Sequence, residues 1–340
     1  MTDTLLALLC CPICRNEVRL ENPVRNGAHW DSGELVCAEH GGVFTIRDGI
    51  VISLASKTRT KQDIVEFWNC HPCMGAWEND KKQFEELREY RYATHPWIPE
   101  VGEFAAHAGQ TVLEIGCSQG IDMREMLGQG VGHYIGLDIS TESIRIARRR
   151  LEHFGLFDHR VDLLNADAEF LPLKPGSVDF VYSYGVIHHS ENTPAIIPRI
   201  HEVLKPGGRF CIMYYYTYSL TNLIEKFARG VDRTLALLTG RKDAFWRVCK
   251  LIPYRPAIGH YRNFLNTGYS AILHAPYAHT FGKRESRRLF GRFEIESMRL
   301  YNLSPVLRGL VIRVLGRRAY DALSALTGWD LVIKGRKPGR

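Results

Sequence analysis

Short apolar runs alternate with amphipathic segments through the middle of the chain. Residues 112–115 are apolar without helical periodicity and lead into a glycine-bearing turn, which predicts a strand followed by a turn and a helix. Two further strands are predicted to end at Asp138 and just before Asp167, and residues 177–189 predict a fourth strand that runs into a loop. Residues 201–210 predict a helix end, a turn and a fifth strand. This alternation predicts an α/β fold.

The turn after the first strand indicates what kind of ligand the fold binds. Gly116 and Gly120 permit a tight turn and close approach of the backbone to a ligand, and Asp138 ends the next strand. A carboxylate at that place can accept hydrogen bonds from both hydroxyls of a ribose. A dinucleotide fingerprint would need glycine at positions 116, 118 and 121, where this chain has Gly116, Ser118 and Ile121. The spacing therefore favours an adenosine-bearing cofactor without a pyrophosphate.

The order of acid, glycine and small residues over positions 114–120 resembles the first motif of class I S-adenosylmethionine-dependent methyltransferases of the domain 11/25 type. The segments 165–168, 177–189 and 201–210 follow in the order of that family. The resemblance implies a Rossmann-like, seven-stranded methyltransferase sheet with S-adenosyl-L-methionine as cofactor. It implies the following cofactor-binding residues: Glu114, Gly116, Cys117, Ser118 and Gly120 in the first motif, Asp138 and Ile139 at the ribose, Asp167 and Ala168 at the adenine, and Tyr184.

Methyl transfer needs a nucleophile aligned with the sulfonium carbon, and positioning of this kind supplies roughly 7–11 kcal/mol of a barrier. By the same resemblance, Tyr184, His188 and His189 fall where the family places its methyl donor and acceptor, so they are the candidate catalytic residues. An imidazole can remove a proton from a substrate hydroxyl or amine near neutral pH. A pair of histidines in this loop also occurs as a packing element, and both interpretations of His189 stay open.

Two short-spaced pairs near the start of the chain predict a metal site. They are Cys11 with Cys14, and Cys37 with His40. Two such turns can close a tetrahedral shell around Zn²⁺ with no open position, which indicates a structural role. The surroundings resemble the Trm112-like zinc ribbon, which usually has a cysteine where this chain has His40. Cys10 could replace a ligand, although we favour Cys11, and a ribbon that has lost its metal is the alternative.

The rest of the chain is divided by composition and periodicity. We expect a zinc ribbon at 1–55, a helical cofactor-covering segment at 60–100, a cofactor-binding core at 101–216, a helical and aromatic substrate lid at 217–290, and the last two strands at 291–340. Candidate residues covering the cofactor are Trp68, Cys73, Arg91 and Tyr92, and candidate substrate determinants are Tyr254, His260, Tyr261, Tyr269, His274, Tyr277 and His279.

Two segments allow more than one interpretation. Cys70 and Cys73 flank His71, but no second pair lies nearby in the sequence to complete a metal shell, so we expect a loop. Residues 307–326 mix leucine and arginine at helical spacing. We expect this helix to cover the core, and contact with a membrane surface or a lipid-like substrate is the alternative.

Composition narrows the class of protein. The chain has 340 residues, a formal net charge of +7 at pH 7 and nine cysteines in an odd, clustered distribution that does not suit a secreted disulfide framework. No run of about 18 apolar residues occurs, and the apolar start lacks the basic region of a signal peptide. We therefore expect a soluble, cytoplasmic protein without a membrane span.

Taken together, these features predict a methyltransferase that acts on a small molecule, of an apolar or biosynthetic kind. An RNA methyltransferase is the first alternative, because enzymes of that class also join a zinc module to this core and the basic C-terminal residues are compatible with it. A non-catalytic scaffold that binds the cofactor and acts through its zinc ribbon is the second alternative.

Overall fold

The structure is a computed structural model, and it describes residues 1–53, 58–70, 72, 81–239, 277–303 and 308–339. The strands are β1 (Val18–Asn26), β2 (His29–Cys37), β3 (Gly41–Arg47), β4 (Ile50–Ser53), β5 (Thr111–Ile115), β6 (His133–Asp138), β7 (Val161–Asn165), β8 (Val178–Tyr184), β9 (Leu204–Tyr215), β10 (Glu294–Tyr301) and β11 (Asp330–Arg336). The helices are α1 (Asp3–Leu8), α2 (Arg59–Cys70), α3 (Lys81–Thr94), α4 (Ile98–Val101), α5 (Ile121–Gly128), α6 (Thr141–His153), α7 (Thr193–Val203), α8 (Leu220–Thr239), α9 (Lys283–Leu289) and α10 (Arg308–Thr327).

All these strands belong to one sheet, in the order β1-β2-β3-β4-β7-β6-β5-β8-β9-β11-β10. The segment from β7 to β9 is parallel, and β11 inserts antiparallel between β9 and β10. The α/β prediction is confirmed. The central strands are almost wholly buried, which explains why they appear in the sequence as continuous apolar runs.

The sheet is longer than the seven-stranded one implied by the resemblance. The strand β4 of the N-terminal segment pairs in parallel with β7, where Val51 lies opposite Leu164 and Ile52 opposite Asn165. This pairing makes the four N-terminal strands an extension of the central sheet. Leu5 and Phe44 belong to the same hydrophobic cluster as Leu113, so the two segments share one core.

Several predicted positions lie outside the described residues. They are the segment boundary at 54–57, His71 and Cys73, and the candidate substrate determinants Tyr254, His260, Tyr261, Tyr269 and His274. Tyr277 and His279 are described, and the His279 imidazole lies 2.7 Å from the Tyr277 hydroxyl. Of the predicted substrate lid, the structure describes residues 217–239 and 277–290, which contain the helices α8 and α9.

The prediction that residues 307–326 form a helix covering the core is wrong for its first half. The helix α10 is present, but it is interrupted at Gly316, where φ is 82°. Only Tyr320 and Ser324, both after the interruption, are buried in this helix, whereas Leu310 and Val314 before it are exposed. The break at Gly316 takes the two halves out of register, so they do not share a buried face. Across the described ranges, no helix has the length and apolarity needed to cross a membrane.

Candidate functional site

A cavity opens at the carboxyl ends of the parallel strands, where open α/β sheets bind their ligands. The elements around it are the turn after β5, the ends of β6, β7 and β8, and the helix α2. The predicted cofactor residues that line it are Glu114, Gly116, Cys117, Ser118, Asp138, Ile139, Asp167, Ala168 and Tyr184. Gly120 does not line the cavity; it ends the turn in the left-handed conformation and packs against Ala147.

The turn after β5 is held by backbone hydrogen bonds, and its first residue has to be a glycine. The Gly116 N–H donates to the Leu137 carbonyl at 2.7 Å, and φ at Gly116 is 78°. A Cβ atom at this position would lie 2.3 Å from the Val186 side chain, so a larger residue does not fit. Ser118, which replaces a frequent glycine of the motif, has φ of 48° and directs its N–H toward an acid at the end of β6.

That acid is Asp138, and its carboxylate is already oriented. It accepts the Ser118 N–H at 2.9 Å and the Ser140 N–H at 2.8 Å. Burial raises the pKa of Asp138 to about 6, although these backbone hydrogen bonds oppose the shift. The group is therefore ionised at neutral pH and titrates just below it.

A second acid, Glu114, lies deeper in the cavity wall. It accepts a hydrogen bond from the Tyr134 hydroxyl at 2.9 Å. Burial, and then the charge of Asp122, raise the pKa of Glu114 well above its usual range. Asp122 accepts hydrogen bonds from the Tyr182 hydroxyl at 2.9 Å and from Arg91 Nε at 2.7 Å. Sequence reasoning missed Asp122, although an acid in the first turn of the helix after the glycines was a visible signal.

The wall at the end of β7 carries Asp167 and a cation that the sequence did not reveal. The Asp167 carboxylate accepts the Glu169 N–H at 2.9 Å and forms an ion pair with Lys61 of α2. The Lys61 ammonium also lies 2.8 Å from Glu169, and all three side chains are largely buried. Glu169 in turn accepts hydrogen bonds from Ser190 and from the Asn192 N–H. Lys61 thus links α2 to both the cavity wall at the end of β7 and the loop after β8.

The helix α2 lies over the cavity, as the predicted covering segment requires. Its residues Ile64 and Trp68 line the cavity, and the Trp68 ring contacts the His189 ring edge-on at 5.2 Å. The Ser140 hydroxyl donates to the Asn69 side chain at 3.0 Å, which fixes the far end of α2 close to Asp138. Of the other predicted covering residues, Arg91 lines the cavity and Tyr92 donates to Asp122 from behind it.

The two candidate histidines differ in their access to the cavity. His189 lines it, and its Nδ1 lies 2.9 Å from the Tyr277 carbonyl. A carbonyl can only accept, so Nδ1 carries the proton and Nε2 keeps its lone pair. Burial lowers the pKa of His189 to about 4, so the ring is neutral at pH 7.

His188, the other predicted catalytic histidine, does not line the cavity. Its ring packs between His189 and Tyr215, with centroid distances of 4.2 and 4.0 Å. Neither ring nitrogen has a hydrogen-bond partner among the described residues. Burial lowers its pKa well below the usual range, so the ring packs between its neighbours in the neutral form.

The Tyr184 side chain lines the cavity, but its hydroxyl forms hydrogen bonds with residues that do not line it. The hydroxyl accepts from the Trp97 indole N–H at 2.8 Å and donates to Asp330 at 3.0 Å. Burial raises the pKa of Tyr184 well above its usual range, and burial raises the pKa of Asp330 to about 7. Sequence reasoning missed Asp330, because this residue belongs to no recognisable motif. It lies at the start of β11, between β9 and the edge strand β10.

The predicted metal ligands come together in space. The ligand atoms of Cys11, Cys14, Cys37 and His40 all lie within 4.8 Å of one another, with the Sγ atoms of Cys14 and Cys37 3.5 Å apart and the Cys11 Sγ 3.7 Å from His40 Nδ1. A tetrahedral site with zinc–sulfur bonds of about 2.3 Å has edges of roughly 3.8 Å. The arrangement therefore fits Zn²⁺, and Cys10 is not a member of the group.

Comparison with known families identifies both parts of the chain. The family model of the methyltransferase domain matches residues 113–212, and that of the Trm112p-like proteins matches residues 2–49. The chain joins a Trm112p-like domain to a methyltransferase domain. The resemblance to class I methyltransferases with an N-terminal Trm112-like ribbon is confirmed.

The similar proteins share mainly the methyltransferase domain. Phosphoethanolamine N-methyltransferase 2 of Caenorhabditis elegans is 34% identical over 118 residues, which are 35% of this chain and 26% of that protein. Ubiquinone biosynthesis O-methyltransferase of Paraburkholderia phytofirmans is 32% identical over 134 residues, 39% of this chain and 54% of that protein. The chain thus spans between about a quarter and about half of these curated relatives.

A solved structure supports the same fold. The geranyl diphosphate C-methyltransferase of Streptomyces coelicolor, in complex with Mg²⁺, geranyl diphosphate and S-adenosyl-L-homocysteine, superimposes with a TM-score of 0.50 at 14% identity. The superposition covers 83% of this chain and 100% of that one. At this identity, the likeness concerns the fold alone.

The Trm112p-like domain is attached next to the cavity wall at the end of β7. Arg15, which follows the first pair of cysteines, donates to the carbonyls of Leu171 and Leu173, each at 2.6 Å, and to Glu202 at 3.2 Å. These carbonyls belong to the segment that follows the short turn Ala168–Phe170, directly after Asp167. The metal site is therefore connected through one side chain to the loop that shapes the cavity.

Proposed function

We propose that the chain binds S-adenosyl-L-methionine and transfers its methyl group to a small-molecule acceptor by in-line displacement. The observation that carries the proposal is the cavity at the strand ends, which brings the glycine turn, Asp138 and Asp167 to one side of the sheet. That set of groups suits a ligand with a ribose and an adenine but without a pyrophosphate. The match of residues 113–212 to the methyltransferase domain supports it.

The residues of the cavity have distinct tasks in this proposal. Asp138 accepts hydrogen bonds from the two ribose hydroxyls, and its contacts with Ser118 and Ser140 orient it for this task. Asp167 accepts from the exocyclic amine of adenine, and the backbone of Ala168 lies at the adenine edge. The turn from Gly116 to Gly120, with Glu114, Cys117 and Ser118, holds the methionine end, and Ile139 contacts the adenosine.

The cofactor supplies an electrophilic methyl carbon, so the protein has to align the acceptor, exclude water and receive a proton. Trp68 and Ile64 cover the cavity and exclude water from it. His189 presents a neutral ring whose Nε2 can accept a hydrogen bond from an acceptor hydroxyl or amine. With its pKa lowered to about 4, His189 orients the acceptor before transfer and takes the proton only as the nucleophile becomes more acidic during it.

The proposed acceptor is a small, apolar or biosynthetic molecule. The cavity wall beyond the motif residues is formed largely by aliphatic and aromatic side chains, which are Ile64, Trp68, Ile115, Leu137, Val186 and Ile196. The relatives named above are methyltransferases of phosphoethanolamine and of ubiquinone biosynthesis, and the structural neighbour is one of geranyl diphosphate. The mRNA cap guanine-N(7) methyltransferase of Candida glabrata is 30% identical over 117 residues, 31% of this chain and 28% of that protein, and represents the RNA alternative.

We place the protein in the cytoplasm. A Cys3His zinc shell requires deprotonated, unoxidised cysteines, and a reducing compartment maintains them. The seven cysteines within the described part of the chain are all free of disulfide bonds. Both features support a cytoplasmic location.

The proposal is tested with methyl-labelled S-adenosylmethionine and extracts of the source cells, after which the label is separated into RNA, protein and small molecules. We expect enzyme-dependent label in an extractable small molecule and none with Asp138→Asn. Label that ribonuclease releases would replace the small-molecule assignment by an RNA one. Calorimetric binding of the cofactor without labelled product in any fraction would favour the non-catalytic scaffold.

A second comparison tests the role of His189. His189→Gln should keep the calorimetric affinity for the cofactor and lower the rate of labelling, because Gln cannot take the proton. The matched control is His159→Gln, an exposed histidine away from the cavity, which should change neither quantity. An unchanged labelling rate in His189→Gln would remove the proposed base.

A further inference from the structure

The first half of α10 exposes an apolar and basic surface that the methyl-transfer proposal does not use. Leu310 and Val314 are 61% and 68% exposed, and Leu315 is 57% exposed. Arg313 lies between them and is exposed as well. Leu310, Arg313 and Val314 are spaced three and four residues apart, so they share one face of the helix. Large aliphatic side chains in such a contiguous exposed group indicate an interaction surface.

The charges on this helix are mostly positive. Arg317 pairs with Asp321 at 2.9 Å, and Asp321 is the only acid in α10. Arg313, before the interruption at Gly316, and Arg318, just after it, are both exposed, so this region of the helix carries a net positive charge. The chain as a whole has a formal net charge of +7 at pH 7. An anionic partner is therefore electrostatically favoured.

The helix α8 adds exposed apolar residues at a neighbouring place in the fold. Leu223 and Phe227 are 60% and 73% exposed, and they are four residues apart. Both helices are tied to the segment after β10: the Thr221 hydroxyl donates to the Leu303 carbonyl at 3.1 Å, and the Leu303 N–H donates to Ser324 of α10 at 3.0 Å.

We propose that the exposed surface of α10, assisted by α8, docks on an anionic lipid bilayer. Arginine interspersed with leucine and valine on one helical face suits the boundary between headgroups and acyl chains, because the aliphatic side chains insert and the guanidinium groups contact phosphates. Basic residues beside exposed leucine are the composition of helices that bind at a membrane surface, which favours the bilayer as the occupant.

The surface lies close to the cavity. Arg308, the first residue of α10, is placed over the Trp97 ring at 5.9 Å, and the Trp97 N–H donates to Tyr184 in the cavity wall. The side chains of Arg308 and Trp97 thus connect α10 to Tyr184, in the wall of the cavity where an apolar acceptor would bind. Docking itself does not depend on methyl transfer, so it is measured without cofactor or acceptor.

The test uses the full chain and sedimentation with vesicles. We expect binding to vesicles of equal parts phosphatidylcholine and phosphatidylglycerol that is roughly tenfold tighter than binding to phosphatidylcholine alone, and that weakens as salt is added. Leu310→Ser with Val314→Ser should abolish it through lost insertion, and Arg313→Glu with Arg318→Glu should reduce it at least tenfold.

The matched control is Arg19→Glu with Arg47→Glu, which makes the same charge change on exposed strands of the Trm112p-like domain. This control should bind vesicles like the unchanged chain, and all variants should keep the same thermal midpoint. If both double arginine variants lost vesicle binding to the same extent, net charge alone would explain the attraction, and the proposal would be overturned. Absence of binding to anionic vesicles would also overturn it and leave a protein as the occupant of this surface.

Discussion

The Tyr184 hydroxyl donates a hydrogen bond to the Asp330 carboxylate at 3.0 Å, which joins the cavity wall at the end of β8 to the start of β11. The same hydroxyl accepts from Trp97, and the Asn302 side chain approaches the other Asp330 oxygen at 3.5 Å. Asp330 is 1% exposed. A carboxylate this deeply buried needs these partners, so it fixes the position of Tyr184 beside the cavity.

Asp330 should make the stability of the protein depend on pH. Burial raises its pKa from 3.8 to about 7, and the hydrogen bonds from Tyr184 and Asn302 and the charge of Arg91 oppose the shift. Between about pH 4 and pH 7, Asp330 therefore holds its proton in the folded state but has lost it in the unfolded state. The stability contributed by this group is present below pH 4 and is lost as the pH rises through 7.

Asp330→Asn removes this dependence, since the amide does not ionise. We expect urea unfolding at pH 8 to show a gain in the free energy of unfolding for the variant, relative to its difference at pH 5, of roughly 2.5 kcal/mol. The control is Asp321→Asn, an exposed acid in α10, which should show no such pH-dependent difference. A constant difference between Asp330→Asn and the unchanged chain across this pH range would contradict the assignment.

Asp138 should govern the pH dependence of cofactor binding. Its pKa in the free protein is raised to about 6 by burial, and only the ionised form can accept from both ribose hydroxyls. Affinity measured by calorimetry should therefore fall as the pH drops below 6. Asp138→Asn should weaken binding roughly 30-fold or more at pH 8, because hydrogen bonds to a charged group are lost.

The matched control for this variant is Asp63→Asn, an exposed acid on α2 that does not line the cavity. It should bind the cofactor like the unchanged chain at every pH. If the affinity of Asp138→Asn still fell below pH 6, another group would be responsible for the titration.

Loss of zinc should loosen the cavity wall at the end of β7 as well as the metal site. Arg15 connects the turn between Cys11 and Cys14 to the carbonyls of Leu171 and Leu173, so a collapsed turn withdraws two hydrogen bonds from the loop after Asp167. Chelation, or Cys14→Ser, should lower the thermal midpoint by several degrees and weaken cofactor binding severalfold. Bound zinc is counted by a colorimetric assay after denaturation.

Cys70→Ser is the control for this experiment, because Cys70 is an exposed, free cysteine of α2. It should retain one zinc per chain, the thermal midpoint and the cofactor affinity. A chain that bound no zinc as purified and yet had full cofactor affinity would show that the metal site has no part in shaping the cavity.

Local motifs account for what the sequence predicted well. The glycine turn, Asp138 and Asp167 each lie at the end of a strand, so their place follows from the strand order of the methyltransferase fold. Lys61 and Asp330 were missed because their partners lie 106 and 146 residues away along the chain and no spacing rule connects them. The first half of α10 was misjudged because helical spacing says nothing about a break at Gly316.

Lys61 supplies the last prediction, because it is a largely buried cation between two acids. The Lys61 ammonium pairs with Asp167 and lies 2.8 Å from Glu169. In Lys61→Met both carboxylates would lose their compensating charge in a region of low dielectric, which should lower the free energy of unfolding by about 3 kcal/mol at neutral pH. Lys61→Arg keeps the charge and should lose much less.

The pH dependence separates lost charge from lost packing in this variant. The pKa of Glu169 is held below its usual value: burial acts to raise it, but hydrogen bonds from Lys61 and Ser190 and from the Asn192 N–H outweigh burial. The stability that Glu169 contributes is present above its unfolded pKa of about 4.3 and is lost as the pH falls through the lower folded value. The deficit of Lys61→Met should therefore be constant above about pH 5 and shrink as the pH falls from 5 to 3. If the deficit in urea unfolding stayed constant from pH 5 to pH 3, Lys61 would act through the packing of its aliphatic chain and not through its charge.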